Sequence, residues 1–134
     1  MTCIWIIDDV PEILETMSLL LMAEGYVVKI FETAESLDLE ELKYACDLVI
    51  TDVLMPKVNG YEVITKVNDV SEIPVIAMSG GAMDVCNVEI LSRARKKATY
   101  FLKKPIQPSI LRETVKKALP TRGSILDKQE KRVV

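Results

Sequence analysis

The stretch Leu48-Val49-Ile50-Thr51-Asp52-Val53-Leu54-Met55-Pro56 settles the fold class. Four residues dominated by β-branched side chains run straight into an acid, and a proline follows four residues later. A short apolar run closed by a turn is the pattern of a strand buried on both faces. The acid at its carboxyl end then stands at the rim of a sheet.

The same arrangement recurs outward along the chain. Ile4-Trp5-Ile6-Ile7 reads as a first strand ending at Asp8-Asp9. Pro11 follows where a first-turn proline is tolerated. Ile13, Met17, Leu20 and Leu21 recur at helical spacing, and Gly25 is a stop. Val27 to Phe31 is a second strand, and Ala34 to Tyr44 is helical. Val53 to Gly60 is a loop, and Tyr61, Ile64 and Val67 open the next helix. Pro74 to Met78 is a fourth strand, followed by Ser79-Gly80-Gly81. Val88, Leu91 and Ala94 mark a fourth helix. Tyr100-Phe101-Leu102 is a fifth strand closed by Lys103-Lys104-Pro105. Ile110, Leu111, Val115 and Ala118 mark a last helix that Pro120 ends. Five strand–helix units imply an α/β fold whose parallel sheet is covered on both faces. Ligands in such sheets bind beyond the carboxyl ends of the strands. Every strand except the second delivers a polar group there. Residues 1–120 are expected to form one domain, and residues 121–134 a charged C-terminal tail, frayed or extending the last helix.

Bulk properties narrow the chemistry. The chain has 134 residues, 49% hydrophobic and 28% charged, which supports a packed core and argues against disorder. The opening Met1-Thr2-Cys3-Ile4-Trp5 lacks a basic leader, which argues against a secretory signal. The longest apolar run, Leu19 to Ala23, is too short to span a bilayer. Cys3, Cys46 and Cys86 are widely spaced, and there is no histidine. That argues against a zinc site or disulfide framework and for reduced cysteines in a cytoplasmic protein. The net charge of -3 is unevenly spread: residues 1–90 hold 17 acids and 4 bases, residues 91–134 hold 3 acids and 13 bases.

Asp8, Asp9 and Asp52 would crowd three carboxylates into one pocket. Like charges raise one another's pKa unless a cation intervenes. Oxygen ligands without His or Cys suit a hard cation, and magnesium fits best because it needs few carboxylates plus a phosphate. An isolated Asp-Asp pair is more often a helix cap or surface charge; the third acid at a parallel strand end reverses that preference. A carboxylate beside a metal can attack phosphorus and form an aspartyl phosphate. A fifth-strand lysine supplies a charge for phosphate, Ser79 a hydroxyl donor, and Gly80-Gly81 room for backbone amides.

These segments together resemble the receiver domains of two-component response regulators. The resemblance runs from about residue 3 to 119. It rests on Ile6-Ile7-Asp8-Asp9-Val10, on Leu48 to Pro56 with Asn59-Gly60, on Val75 to Gly80, and on Phe101-Leu102-Lys103-Lys104-Pro105. It implies a flavodoxin-like, doubly wound (βα)5 parallel sheet in strand order 2-1-3-4-5. It implies Asp52 as phosphoacceptor. Asp9 is implied as direct Mg2+ ligand, Asp8 as its partner through water, and Leu54 as donor of a backbone carbonyl. Ser79 and Phe101 match the hydroxyl and aromatic switch residues, and Lys104 matches the family's active-site lysine. The Lys104–Pro105 bond is expected to be cis. Three positions depart from the usual pattern. Phe101 lacks the hydroxyl of the frequent tyrosine, Ser79 replaces the commoner threonine, and Lys97-Ala98 stands where Gly-Ala is frequent.

On this resemblance the chain takes a phosphoryl group from a histidine kinase or phosphotransfer protein. It catalyses no reaction beyond its own phosphorylation and dephosphorylation. The charge then repacks the surface around the fourth helix, fifth strand and last helix. Arg93, Arg95, Lys96, Lys97, Arg112, Lys116 and Lys117 lie there. They are either solvated helix ends answering the dipole or a basic face for an acidic partner or a self-dimer. No recognition motif favours nucleic acid. Competing classes are a degenerate receiver, a dehalogenase-like phosphatase and a flavodoxin. The complete set of Asp8, Asp9, Asp52, Ser79 and Lys104 opposes the first. Adjacent rather than Asp-x-Asp acids oppose the second. The phosphate-repelling Asp8-Asp9-Val10-Pro11 loop opposes the third.

Overall fold

The computed structural model describes residues 1–80 and 87–120. Gly81, Cys86 and residues 121–134 therefore lie outside the described residues. The elements run β1 (Cys3–Ile7), α1 (Pro11–Ala23), β2 (Val27–Phe31), a short 3-10 turn (Ala34–Ser36), α2 (Leu39–Ala45) and β3 (Leu48–Asp52). They continue with α3 (Gly60–Val70), β4 (Val75–Ser79), α4 (Val88–Lys97), β5 (Tyr100–Lys103) and α5 (Pro108–Ala118). All strand pairs are parallel, in the order β2-β1-β3-β4-β5. This is the flavodoxin-like (βα)5 topology that the resemblance implied.

The three central strands are apolar because both their faces are covered. Trp5, Ile7, Val49, Val75 and Ala77 pack with α2, α3 and α4. Ile4, Ile6, Leu48, Ile50, Ile76 and Met78 pack with α1 and α5. The edge strands differ: Val27 and Ile30 of β2 are exposed, and β5 is half-buried. None of the described helices is long and apolar enough to cross a membrane.

Two local expectations need correction. The predicted helix over 34–44 is interrupted, because Leu37 and Asp38 are extended. Asp38 instead caps α2, its carboxylate accepting from the Glu40 and Glu41 amides at 3.0 and 3.2 Å. Gly60 is the first residue of α3 rather than the end of a loop, and Asn59 caps that helix through Glu62 N–H. Gly25, at φ 93°, makes the left-handed turn after α1. Lys57 is also left-handed, at φ 68°, which is uncommon for a non-glycine residue.

Gly60 is sterically required. Its N–H donates to the Val53 carbonyl at 2.7 Å. A Cβ there would stand 2.6 Å from the Val53 Cα and still closer to the Asp52 carbonyl oxygen. The start of α3 thus lies against the backbone that carries Asp52. Gly60→Ala is expected to cost about 2–3 kcal/mol, the upper range for overpacking. Urea unfolding followed by the fluorescence of the single tryptophan checks this; a wild-type midpoint would contradict the contact.

Candidate functional site

Parallel register brings distant strand ends together. Ile7 pairs with Thr51, so Asp8 and Asp52 are the next residues on adjacent strands. Ser79 pairs with Lys103. Side chains alternate faces along a strand. Ile6, Ile50 and Leu102 belong to the α1/α5 layer, so Asp8, Asp52 and Lys104, each two residues on, share that side. Lys103 has the opposite parity and is exposed.

The Lys104 ammonium accordingly donates to Asp8 Oδ2 at 2.6 Å and lies 3.2 Å from Asp52 Oδ2. Its backbone N–H donates to the Ser79 carbonyl at 2.7 Å, and the Lys104–Pro105 bond is cis. Asp8 is fully buried and accepts the Val10 N–H through Oδ1 at 2.9 Å. Asp52 is also buried, whereas Asp9 is exposed. One carboxylate oxygen from each of Asp8, Asp9 and Asp52 lies within 4.8 Å of the others.

Three carboxylates face one lysine. The Asp52 carboxyl is pushed up to about 6: burial is the largest cause, Asp8 and Asp9 add to it, and Lys104 opposes it. Burial also opposes the Lys104 charge. The hydrogen bond to Asp8 and the charges of Asp52 and Asp8 outweigh it, so its pKa is raised. An all-oxygen donor set with surplus negative charge fits a hard divalent cation.

Ser79 is buried beside this cluster, its hydroxyl donating to the Gly80 carbonyl at 3.1 Å. It has the parity of Ala77, which pairs with Phe101. Phe101 is half-buried under the guanidinium of Arg95, 5.3 Å from the ring centroid. Leu54 lies in the turn that follows β3. An apolar groove of about 480 Å³ opens between α1 and α5, with Lys104 at one end and Met17, Leu20, Ile106 and Leu111 along it.

The basic residues do not form one uniform face. Arg112 turns to Glu24 at the end of α1, 3.4 Å away. Lys97 leans over Tyr61 of α3, 5.2 Å from its ring centroid. Arg95, Lys96, Lys116 and Lys117 are exposed. Sequence reasoning missed Gly60 as part of the site. The glycine following a cap-forming Asn59 was the available signal, but its reason is a contact with β3 across space.

A family model described as the response regulator receiver domain matches residues 4–116. The C4-dicarboxylate transport transcriptional regulatory protein DctD of Pseudomonas aeruginosa is 27% identical over 98% of this chain and 28% of its own length. A CpxR homolog of Haemophilus influenzae is 37% identical over 66% of this chain and 38% of its own. The chain thus spans well under half the length of these curated relatives. Among solved structures, a CheY-like receiver domain protein from Methanospirillum hungatei superposes with a TM-score of 0.77 at 27% identity, covering 98% of both chains.

The elevated Asp52 pKa has a consequence for stability. Without metal, the folded state binds more protons at Asp52 than the unfolded chain between the ordinary value of 3.8 and about 6. Its contribution therefore falls as pH rises through that window. Relative to wild type, metal-free Asp52→Asn should gain stability from pH 4 to pH 7, on the order of 3 kcal/mol. Paired urea titrations across that range check it; a pH-independent difference would count against the buried charge cluster.

Proposed function

This chain belongs to the response regulator receiver domain family, and on that premise we propose that Asp52 is its phosphoacceptor. A receiver domain is a phosphotransfer module rather than a conventional enzyme. The observation that carries the assignment is the position of Asp52: buried at a strand end, clustered with Asp8 and Asp9 and within reach of Lys104.

Asp8, Asp9, Asp52 and the backbone carbonyl of Leu54 would hold Mg2+. Magnesium, when bound, neutralises charge on the phosphoryl oxygens. A carboxylate oxygen of Asp52 attacks the donor phosphorus, and the donor's leaving group departs. Lys104, already paired with Asp52, keeps its charge against the incoming phosphoryl oxygens. Ser79 moves toward the phosphate, its hydroxyl exchanging the Gly80 carbonyl for a phosphoryl oxygen. Phe101 then moves toward the space beside Ser79 and repacks the surface around α4 and β5. The shift is limited by the differential contacts the two states make with phosphate.

The donor is a histidine kinase or phosphotransfer protein, and the apolar groove beside Lys104 supports its approach between α1 and α5. The reading places the receiver at residues 1–120, with 121–134 as a charged tail, in the cytoplasm. A downstream protein or a second copy would bind the α4-β5-α5 face, with nucleic acid not contacted by this domain alone.

Acetyl phosphate with Mg2+ should add one phosphoryl group, read by intact mass, and Asp52→Asn should abolish it. Equal mass gain in the variant would overturn the assignment. Lys104→Ala should slow phosphorylation roughly a hundredfold, corresponding to about 3 kcal/mol of lost transition-state stabilisation. Beryllofluoride should shift NMR resonances around α4 and β5; unchanged resonances there would refute the switch.

A further inference from the structure

Phe101 presents a physical problem. A phenyl ring has no polar atom to solvate, so burial favours it and nothing of its own holds it outward. Yet it is half-buried on β5, an edge strand. Its register partner is Ala77, whose methyl group is the smallest apolar side chain on β4, and Ser79 lies two residues further on the same face. The ring packs against the core beside a small neighbour, so the strand next to it offers little bulk to oppose inward movement. Covering the ring from outside is Arg95, whose guanidinium carbon lies 5.3 Å from its centroid. Arg95 makes no ion pair with any carboxylate among the described residues. Its charge is thus available to the ring face, and its aliphatic stem can shield apolar surface.

We propose that Arg95 is a positioning residue that holds Phe101 in the outward state and so sets how readily phosphorylation at Asp52 draws the ring inward. This rests on the reading of Ser79 and Phe101 as switch residues. Arg95 does for Phe101 what a ring hydroxyl would do for a tyrosine: it gives the outward conformer a favourable polar contact. An exposed cation–π contact is worth about a two- to fivefold change in such an equilibrium. The contact is lost when the ring moves, so it opposes the phosphorylated state.

The chain has two phenylalanines, and Phe31 is buried against Trp5 at a centroid distance of 5.0 Å. Fluorophenylalanine labelling therefore gives one switch signal and one internal control. Titrating the 134-residue chain as wild type, Arg95→Gln and Arg95→Lys with beryllofluoride in Mg2+ is the test. In wild type the Phe101 signal should move while Phe31 stays fixed. Arg95→Gln should bind beryllofluoride about two- to fivefold more tightly, with the free protein's Phe101 signal already displaced toward its bound position. Arg95→Lys should lie nearer wild type. A general loss of structure would weaken binding and move Phe31, so a gain in affinity is not its signature. Unchanged affinity and an undisplaced Phe101 signal in Arg95→Gln, with wild type responding normally, would overturn the role of Arg95 alone. A wild-type Phe101 signal that ignores beryllofluoride would refute the switch reading, and this inference with it.

Discussion

Three carboxylates held within 4.8 Å of one another against a single lysine are the constraint around which the carboxyl edge of the sheet is organised. Removing Asp8 and Asp52 from water is costly, and their mutual repulsion adds to it. The protein offsets part of that cost with Lys104 and with the Val10 amide on Asp8. The remainder appears as the raised pKa of Asp52. A site left short of positive charge is one that a divalent cation or the cation–phosphate chemistry of a receiver can complete.

The fold supplies this arrangement cheaply. Parallel strands in register place their ends side by side, so residues far apart in sequence meet without long loops. Lys104 and Asp8 are separated by 96 positions, yet they hydrogen-bond at 2.6 Å. The helices that cover the sheet also shape the rim. The first residue of α3 touches the backbone at Asp52, which leaves space only for glycine. Packing of α3 and positioning of Asp52 are consequently one structural problem.

The far side of the sheet edge follows a different logic. Bases are concentrated late in the chain, but they are not equivalent in space. Arg112 is paired with Glu24 at the end of α1 in the same layer, Lys97 rests on Tyr61, and Arg95 covers Phe101. A charge count assigns them one role, whereas packing divides them among three neighbours. Stacking on aromatic rings lets these cations serve local structure while remaining largely hydrated.

Much of the fold and the candidate site was legible because it rests on local pattern. Apolar runs such as Leu48–Ile50 read directly as buried strands, and the polar residues that end them read directly as the rim. The interruption near Asp38 was legible only in hindsight, because a capping side chain and a mid-helix acid look alike until backbone direction is known. The sequence alone determined which chemical groups reach the edge: Asp8, Asp9, Asp52, Ser79 and a lysine. The resemblance already singled out Lys104 over Lys103; tertiary structure supplied the physical reason, since strand parity turns Lys104 toward the acids and leaves Lys103 exposed. Tertiary structure decided the elevated pKa of Asp52, the glycine at position 60 and the contact of Arg95 with Phe101. Each of these depends on distances between residues remote in the chain, and composition and periodicity carry no such distances.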